Sequence, residues 1–172
     1  MKNRIPLLII LTFPVVVCVV AWYFWFSPAT TIILVRHAER LNSSDTTSIS
    51  EIGIERAQRL AHVLSASGVT RIYVSEKYRT TQTVAPTAMS VHVSPVPIPF
   101  NAIGAYIDSV KAHRGEVILI AGHSDNLTLI MAKLGIANPP VIERSQYDDI
   151  FIVTRLRFRS TLTRVKYGHP SF

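Results

Sequence analysis

The chain has 172 residues, the length of about one domain, and a formal net charge of +7. Hydrophobic residues make up 48% of the sequence, which is enough for a sizeable core. The basic excess suits phosphate groups or an anionic membrane surface, whereas no motif indicates a nucleic-acid partner. The single cysteine, Cys18, excludes an intrachain disulfide.

Residues 5–26 contain no charged side chain, although Pro6 and Pro14 interrupt them. A helix of this length can cross a hydrocarbon core of about 30 Å, so the sequence predicts a transmembrane anchor. Lys2 and Arg4 precede it, and the positive-inside tendency would place them in the cytoplasm and the remainder of the chain outside. Aromatic residues that suit a membrane interface end the segment: Trp22, Tyr23, Trp25 and Phe26.

A cleavable signal peptide is the alternative for this segment. Ser27-Pro28-Ala29 loosely matches the small-residue pattern of a cleavage site. The apolar run is longer than the usual core of a signal peptide, and bulky aromatic residues directly precede the proposed site, so an uncleaved anchor is favoured. We therefore expect residues 1–27 to form a cytoplasmic stub and anchor and residues 28–172 to form one folded domain.

After residue 28 the hydrophobic pattern alternates between strands and helices. Strands are predicted at 32–35, 69–75, 117–121, 150–158 and 161–167, with a proline-rich edge strand or connector at 91–99. Helices are predicted at 51–67, 103–112 and 126–134. Another helix is predicted to begin at residue 76, and Pro86 closes or bends it. Residues 41–49 are predicted to form a polar loop. This order predicts an α/β fold, a three-layer sandwich with a largely parallel central sheet, preceded by one transmembrane helix.

Three of the predicted strands end in polar residues. Arg36-His37 follows the first strand, Ser75 through Arg79 follows the second, and Gly122-His123 follows the strand at 117–121. The carboxyl ends of parallel strands meet at one edge of a sheet, so two imidazoles and two guanidinium groups could converge there on one anion.

These segments resemble those of the histidine phosphatase superfamily, the phosphoglycerate mutase-like proteins, in a small branch without a cap domain. Leu34-Val35-Arg36-His37-Ala38-Glu39 is similar to the family's Arg-His-Gly signature, with Ala38 in place of glycine. Ser75, Arg79, Gln82 and Thr83 match a Ser-x-x-x-Arg-x-x-Gln-Thr pattern, and Ala121-Gly122-His123-Ser124 is similar to the second-histidine segment.

The resemblance implies a phosphoric monoester hydrolase that acts on a phosphomonoester or a phosphoramidate. His37 would attack phosphorus and form a phosphohistidine, which water then hydrolyses. Arg36, Arg79 and His123 would neutralise the phosphate oxygens, and no metal or cofactor is expected. The substrate could be a small molecule, a protein or a lipid headgroup, and the membrane would be a second partner.

The sequence departs from the family pattern at the general acid. Residues 91–107 contain no carboxylate, and Ser124 follows the second histidine. Glu39, Glu76 and Asp125 remain candidates, and without an acid a leaving group that needs little protonation, such as that of a phosphohistidine, is favoured.

Other functions stay open at this point. A non-catalytic phosphate-recognition domain at the membrane could use the same basic residues, and a mutase fits less well with an anchored domain. Gly122-His123-Ser124-Asp125-Asn126 also resembles the nucleophile elbow of a serine hydrolase, with Asp148 or Asp149 and then His169 in the matching order.

Overall fold

The computed structural model describes residues 7–25 and 28–171, and the side chains of 12–23 and 28–171. The helices are α1 (Leu7–Trp25), α2 (Glu51–Leu64), α3 (Tyr78–Val91), α4 (Ile103–Ala112) and α5 (Ser124–Lys133). The strands are β1 (Thr30–Arg36), β2 (Val69–Val74), β3 (Pro95–Pro97), β4 (Val117–Gly122), β5 (Asp149–Arg155) and β6 (Ser160–Lys166).

The strands form one mixed sheet in the order β3-β2-β4-β1-β5-β6. β3, β2, β4 and β1 run parallel to one another, whereas β5 runs antiparallel to both β1 and β6. The fold is therefore α/β and three-layered, as predicted. Its sheet is mixed, because β5 and β6 add antiparallel pairs to the parallel strands. The predicted hairpin of the last two strands and the short edge strand at β3 are confirmed.

Each face of the sheet has its own apolar core. On one face, buried side chains of β1 and β4, such as Ile32 and Ile118, pack with α4 and α5. On the other face, Ile33 and Leu119 pack with residues of α2 and α3. The alternation of neighbouring residues between the two faces explains why β1 and β4 read as continuous hydrophobic runs in the sequence.

Several helix boundaries differ from the sequence prediction: α2 ends at Leu64 rather than at residue 67, and α3 begins at Tyr78 rather than at residue 76. Proline 86 does not end α3, which continues to Val91 and closes with His92 in the left-handed region at φ 56°. α5 begins at Ser124, two residues before the predicted start. The N-cap of α2 is as predicted, since Ser50 Oγ accepts a hydrogen bond of 3.2 Å from the Gly53 amide.

The predicted anchor at 5–26 lies partly outside the described residues. Its described part is helical from Leu7 to Trp25 with Pro14 inside, and the side chains at 12–23 are exposed. Within the described part of the chain, no helix satisfies both the length and the hydropathy that crossing a membrane requires.

Candidate active site

A pocket of about 330 Å³ lies at the carboxyl ends of β1, β2 and β4. Its basic lining residues are Arg36, Arg40, Lys77, Arg79 and Arg144, its acidic ones are Asp45 and Asp125, and the others are His37, Phe100, His123 and Ser124. The predicted quartet of Arg36, His37, Arg79 and His123 is thus brought together in one pocket. The excess of cations over carboxylates makes it suited to an anion.

The register of β1 against β4 brings the two histidines together. Arg36 is paired with Gly122, and the His37 amide continues the ladder with a hydrogen bond of 2.9 Å to the Gly122 carbonyl. The ring centroids of His37 and His123 are 5.1 Å apart. A single ligand between the strand ends can therefore contact both imidazoles.

His37 has the geometry of a nitrogen nucleophile. Its Nδ1 donates a hydrogen bond of 2.8 Å to the carbonyl oxygen of Ala38, so in the neutral ring the proton is on Nδ1 and Nε2 carries the lone pair. Burial lowers the pKa of His37 to about 3, and the charge of Arg36 acts in the same direction. The imidazole is therefore unprotonated at neutral pH and able to attack phosphorus.

Arg36 is held in place by the loop that precedes β5. Its Nη1 donates to the carbonyl oxygens of Glu143 at 2.9 Å and Gln146 at 3.1 Å. The guanidinium carbon lies 4.2 Å from the ring centroid of Tyr147, a cation–π distance. These contacts fix the orientation of a side chain that would otherwise have several rotamers.

Arg79 is held by the polar loop at 41–49. Its Nη1 donates to the Asp45 carbonyl at 2.8 Å, and Lys77 Nζ lies 3.2 Å from the Asp45 carboxylate. The loop was predicted, but its role in orienting Arg79 could not be predicted because it depends on a backbone carbonyl.

Both predicted arginines of the pocket retain an unsatisfied donor. Among the residues that the structure describes, Nε of Arg36 and Nε of Arg79 are buried and have no hydrogen-bond partner. Buried guanidinium donors without acceptors are energetically unfavourable. Oxygen atoms of an anion are the acceptors that guanidinium groups bind most strongly.

A chain of hydrogen bonds orients His123. Arg79 Nη2 lies 3.4 Å from Nδ1, which must accept because a guanidinium can only donate, and this places the proton of the neutral ring on Nε2. Nε2 then donates to Ser75 Oγ at 2.9 Å, and Ser75 Oγ lies 3.0 Å from Thr80 Oγ1, which donates to the Lys77 carbonyl. Burial lowers the pKa of His123 to about 4, with Arg79 contributing.

Asn126 sets the early start of α5. Its Oδ1 accepts from the His123 amide at 2.8 Å, and its Nδ2 donates to the Phe100 carbonyl at 3.1 Å. A Cβ at Gly122 would lie 2.6 Å from this Oδ1, so the glycine is required by the close approach of the Asn126 side chain. The amino terminus of α5 consequently faces the pocket, where its dipole favours an anion.

The Gln82-Thr83 pair supports the first histidine segment from α3. Thr83 Oγ1 accepts from the Ala38 amide at 2.9 Å and donates to the Arg79 carbonyl at 2.7 Å. Gln82 Oε1 accepts from the Ile49 amide at 3.0 Å. Thr83 therefore joins α3 to the backbone that follows His37, and Gln82 joins α3 to the end of the loop at 41–49.

The three candidate general acids have different surroundings. Glu39 forms a bidentate ion pair with the buried Arg56, at 2.7 and 2.9 Å. Glu76 accepts a hydrogen bond of 2.7 Å from the Phe100 amide and is absent from the pocket lining among the described residues. Asp125 lines the pocket, which makes it the strongest of the three.

The serine-hydrolase alternative is wrong. Ser124 Oγ lies 3.2 Å from Asp125 Oδ1, and the aspartates predicted to follow it, Asp148 and Asp149, form ion pairs with basic side chains of β6. His169 contacts side chains of α2, on another part of the domain. Chain order alone suggested a triad that the fold does not assemble.

Several pocket residues had no predicted role. They are Arg40, Asp45, Lys77, Phe100 and Arg144. Tyr147, which is outside the pocket lining and stacks on Arg36, also had no predicted role. Arg40 lies three residues after His37 and Lys77 two residues before Arg79, so their proximity to the motifs was a usable signal. Arg144 and Tyr147 lie in an irregular loop whose course the sequence did not predict.

Comparison with known proteins agrees with the site geometry. Residues 32–99 match the sequence model of the histidine phosphatase superfamily (branch 1). No curated protein gives a significant sequence match to the chain.

Solved structures share the fold at low identity. The protein histidine phosphatase SixA, complexed with tungstate, has a TM-score of 0.65 at 19% identity, covering 79% of this chain and 96% of its own. A phosphoglycerate mutase from Bacillus anthracis has a TM-score of 0.65 at 12% identity, covering 81% and 93%. A mutant phosphoserine phosphatase from Entamoeba histolytica, in complex with phosphoserine, has a TM-score of 0.61 at 14% identity, covering 80% and 96%. By its matched segment and its fold, the chain is similar to members of the histidine phosphatase superfamily.

Proposed function

We propose that the chain is a phosphatase that hydrolyses a phosphomonoester or a phosphoramidate through a phosphohistidine on His37. The observation that carries this proposal is the convergence of His37, His123, Arg36 and Arg79 on one pocket. The unsatisfied Nε donors of both arginines and the free lone pair on His37 Nε2 support it.

In the first step, His37 Nε2 attacks phosphorus in line with the leaving group. The N–P bond forms, the bond from phosphorus to the leaving oxygen or nitrogen breaks, and the leaving group takes the electron pair and a proton. The phosphate oxygens accept hydrogen bonds from Arg36 and Arg79, which stabilise the charge of the transition state. The negative phosphate raises the pKa of His123, and protonation of Nδ1, which accepts from Arg79 in the neutral ring, makes this nitrogen a donor to a phosphate oxygen.

In the second step, water attacks the phosphohistidine, the N–P bond breaks and the electron pair returns to His37 Nε2. Asp125 is the carboxylate best placed to protonate the leaving group and then to accept a proton from this water, because it lines the pocket. The hydrogen bond from Lys77 lowers the pKa of Asp45, so this carboxylate stays ionised at neutral pH and has no proton to donate to a leaving group.

A phosphate-recognition domain without turnover is the second candidate function, because the same cations would hold a phosphorylated partner. The free lone pair of His37 favours catalysis over recognition, since binding a phosphate anion needs donors only. A mutase would use the same first step, and the turnover assay below distinguishes hydrolysis from transfer.

Membrane attachment is the second part of the proposal. Residues 5–26 anchor the chain in a single pass, and the domain at 28–172 is extracytoplasmic, as the charge-free run and the preceding Lys2 and Arg4 indicate. The test is alkaline extraction of cell membranes that contain the full chain. The anchor is supported if the unmodified chain stays in the membrane pellet and a Val16→Arg, Val19→Arg double variant does not. Release of the unmodified chain from the membranes contradicts it.

Turnover by the full chain tests the activity. Phosphate release is measured from an aryl phosphate and, separately, from a phosphohistidine peptide. We expect His37→Ala to abolish both activities without loss of fold, while His62→Ala, a change of an exposed histidine on α2, retains them. Phosphate binding without turnover in the unmodified chain would instead favour the recognition domain.

A further inference from the structure

A second basic surface lies at the amino edge of the sheet, on the side opposite the candidate active site. Lys111 lies in the last turn of α4 and Arg114 lies two residues beyond the helix, while Arg155 ends β5 and Arg157 lies in the turn after it. These four side chains line a cavity of about 420 Å³. We call these four residues, together with Phe158, the amino-edge patch.

The patch is strongly cationic. Within the described part of the chain, the residues that line its cavity include no carboxylate. Outside the cavity lining, the exposed carboxylate of Asp108 lies 3.2 Å from Lys111 Nζ. Arg114 and Arg155 add two further positive charges beside it, so the surface has a net positive charge.

Apolar side chains are exposed beside these charges. Phe158 is 81% exposed and Leu156 39% exposed. The Arg157 guanidinium carbon lies 5.7 Å from the ring centroid of Phe158 and 5.1 Å from that of Tyr23 in α1. A combination of cations with an exposed aromatic ring is typical of surfaces that contact lipid headgroups and insert an apolar group between them.

The position of the patch connects it to the N-terminal segment. Pro28, two residues before β1, also lines the cavity, and the Tyr23 contact places the end of α1 beside it. β1 runs from Thr30 at this edge to Arg36 at the catalytic pocket, about 20 Å away at the usual rise of a strand. A bilayer that holds residues 5–26 would therefore face the patch, with the catalytic pocket on the far side.

We propose that the amino-edge patch binds the headgroups of anionic phospholipids and holds the domain with its catalytic pocket directed away from the bilayer. This inference rests on the proposed membrane attachment and is independent of catalysis. The chemistry recognised is a phosphate group, and its source is a lipid in the same bilayer.

The test uses the full chain in nanodiscs of phosphatidylcholine alone or with phosphatidylglycerol. In a Cys18→Ala background, an environment-sensitive fluorophore is attached at Phe158→Cys, or at Val141→Cys as the matched control. Val141 is 75% exposed and lies in the loop that holds Arg36, at the opposite edge. We expect a blue shift and higher intensity at position 158 in the anionic discs, a reduction of this response by high salt, and no change at position 141.

A charge-reversal variant completes the test. Arg114→Glu with Arg155→Glu should remove the difference between the two kinds of disc, while circular dichroism and turnover show that the domain remains folded. Equal spectra in both discs, the same response at position 141, or a response to inorganic phosphate in neutral discs would overturn the proposal. A chain that fails to associate with anionic vesicles at all would also overturn it. Because phosphate release is measured on the same samples, failure of the patch and failure of the phosphatase are distinguished.

Discussion

Nδ1 of His37 donates a hydrogen bond of 2.8 Å to the carbonyl oxygen of the adjacent residue, Ala38. This bond fixes the tautomer of the buried ring, and Nε2 is left as the unprotonated nitrogen. The bond requires only a backbone carbonyl, which explains why alanine can occupy the position where the family motif has glycine without loss of this contact.

The low pKa values of the two pocket histidines predict acid sensitivity of the fold. Burial lowers the pKa of His37 to about 3 and that of His123 to about 4, whereas both would titrate near 6.5 in the unfolded chain. The unfolded state then binds more protons between about pH 6.5 and 3, so stability falls as the pH falls through this window. Each imidazole contributes a slope of up to about 1.4 kcal/mol per pH unit.

This dependence is measured by urea unfolding of the full chain between pH 7 and pH 4. The double variant His37→Gln, His123→Gln should flatten the curve, and His62→Gln, at an exposed position, should leave it unchanged. An identical slope in the double variant and the unmodified chain would show that the two histidines are not the titrating groups.

Substitution of the arginines by lysine separates charge from geometry. Arg36→Lys and Arg79→Lys keep the charge but lose the planar fork, so kcat/KM should fall by about a hundredfold or more for each. The matched control is Arg59→Lys, in an exposed ion pair on α2, which should retain activity. Near-normal kinetics in both lysine variants would mean that phosphate does not use the guanidinium groups.

Glu39 is predicted to stabilise the fold rather than to transfer protons. Its carboxylate is the partner of the buried Arg56, so Glu39→Gln should lower the free energy of unfolding by about 3 kcal/mol. Turnover per folded molecule should stay close to normal. Stability is measured by denaturant titration and turnover by phosphate release. If Glu39→Gln lost turnover but not stability, Glu39 would be a catalytic acid instead.

Asp125→Asn tests the proposed general acid. Hydrolysis of an alkyl phosphate, whose leaving group needs a proton, should fall by about a hundredfold or more, while hydrolysis of a phosphohistidine peptide should change less. Asp108→Asn, an exposed aspartate on α4, is the matched control. An equal effect of Asp125→Asn on both substrates would exclude proton donation to the leaving group.

The sequence predicted the elements that position the site because the relevant signals are local. The apolar runs of β1 and β4 ended in His37 and His123, and parallel pairing then required the two histidines to meet. Ser50 capped α2 as its residue type suggested. These predictions needed only hydrophobic periodicity, capping chemistry and the geometry of parallel strands.

Other features depend on contacts distant in sequence and were therefore missed. The ion pair between Glu39 and Arg56 joins residues from different elements, and Arg79 is oriented by the carbonyl of Asp45 in a loop. Proline 86 was predicted to close or bend α3, but the helix continues for five residues beyond it because its apolar face packs on the sheet.

The most direct test of the account is a covalent intermediate on His37. The full chain is mixed with a phosphoramidate, quenched in alkali within the first turnovers, and digested for mass spectrometry. We predict a phosphate adduct on the peptide that contains His37, stable in alkali and labile in acid, and absent from His37→Ala. Steady turnover with no adduct at His37, or an adduct on Ser124 instead, would contradict the proposed mechanism.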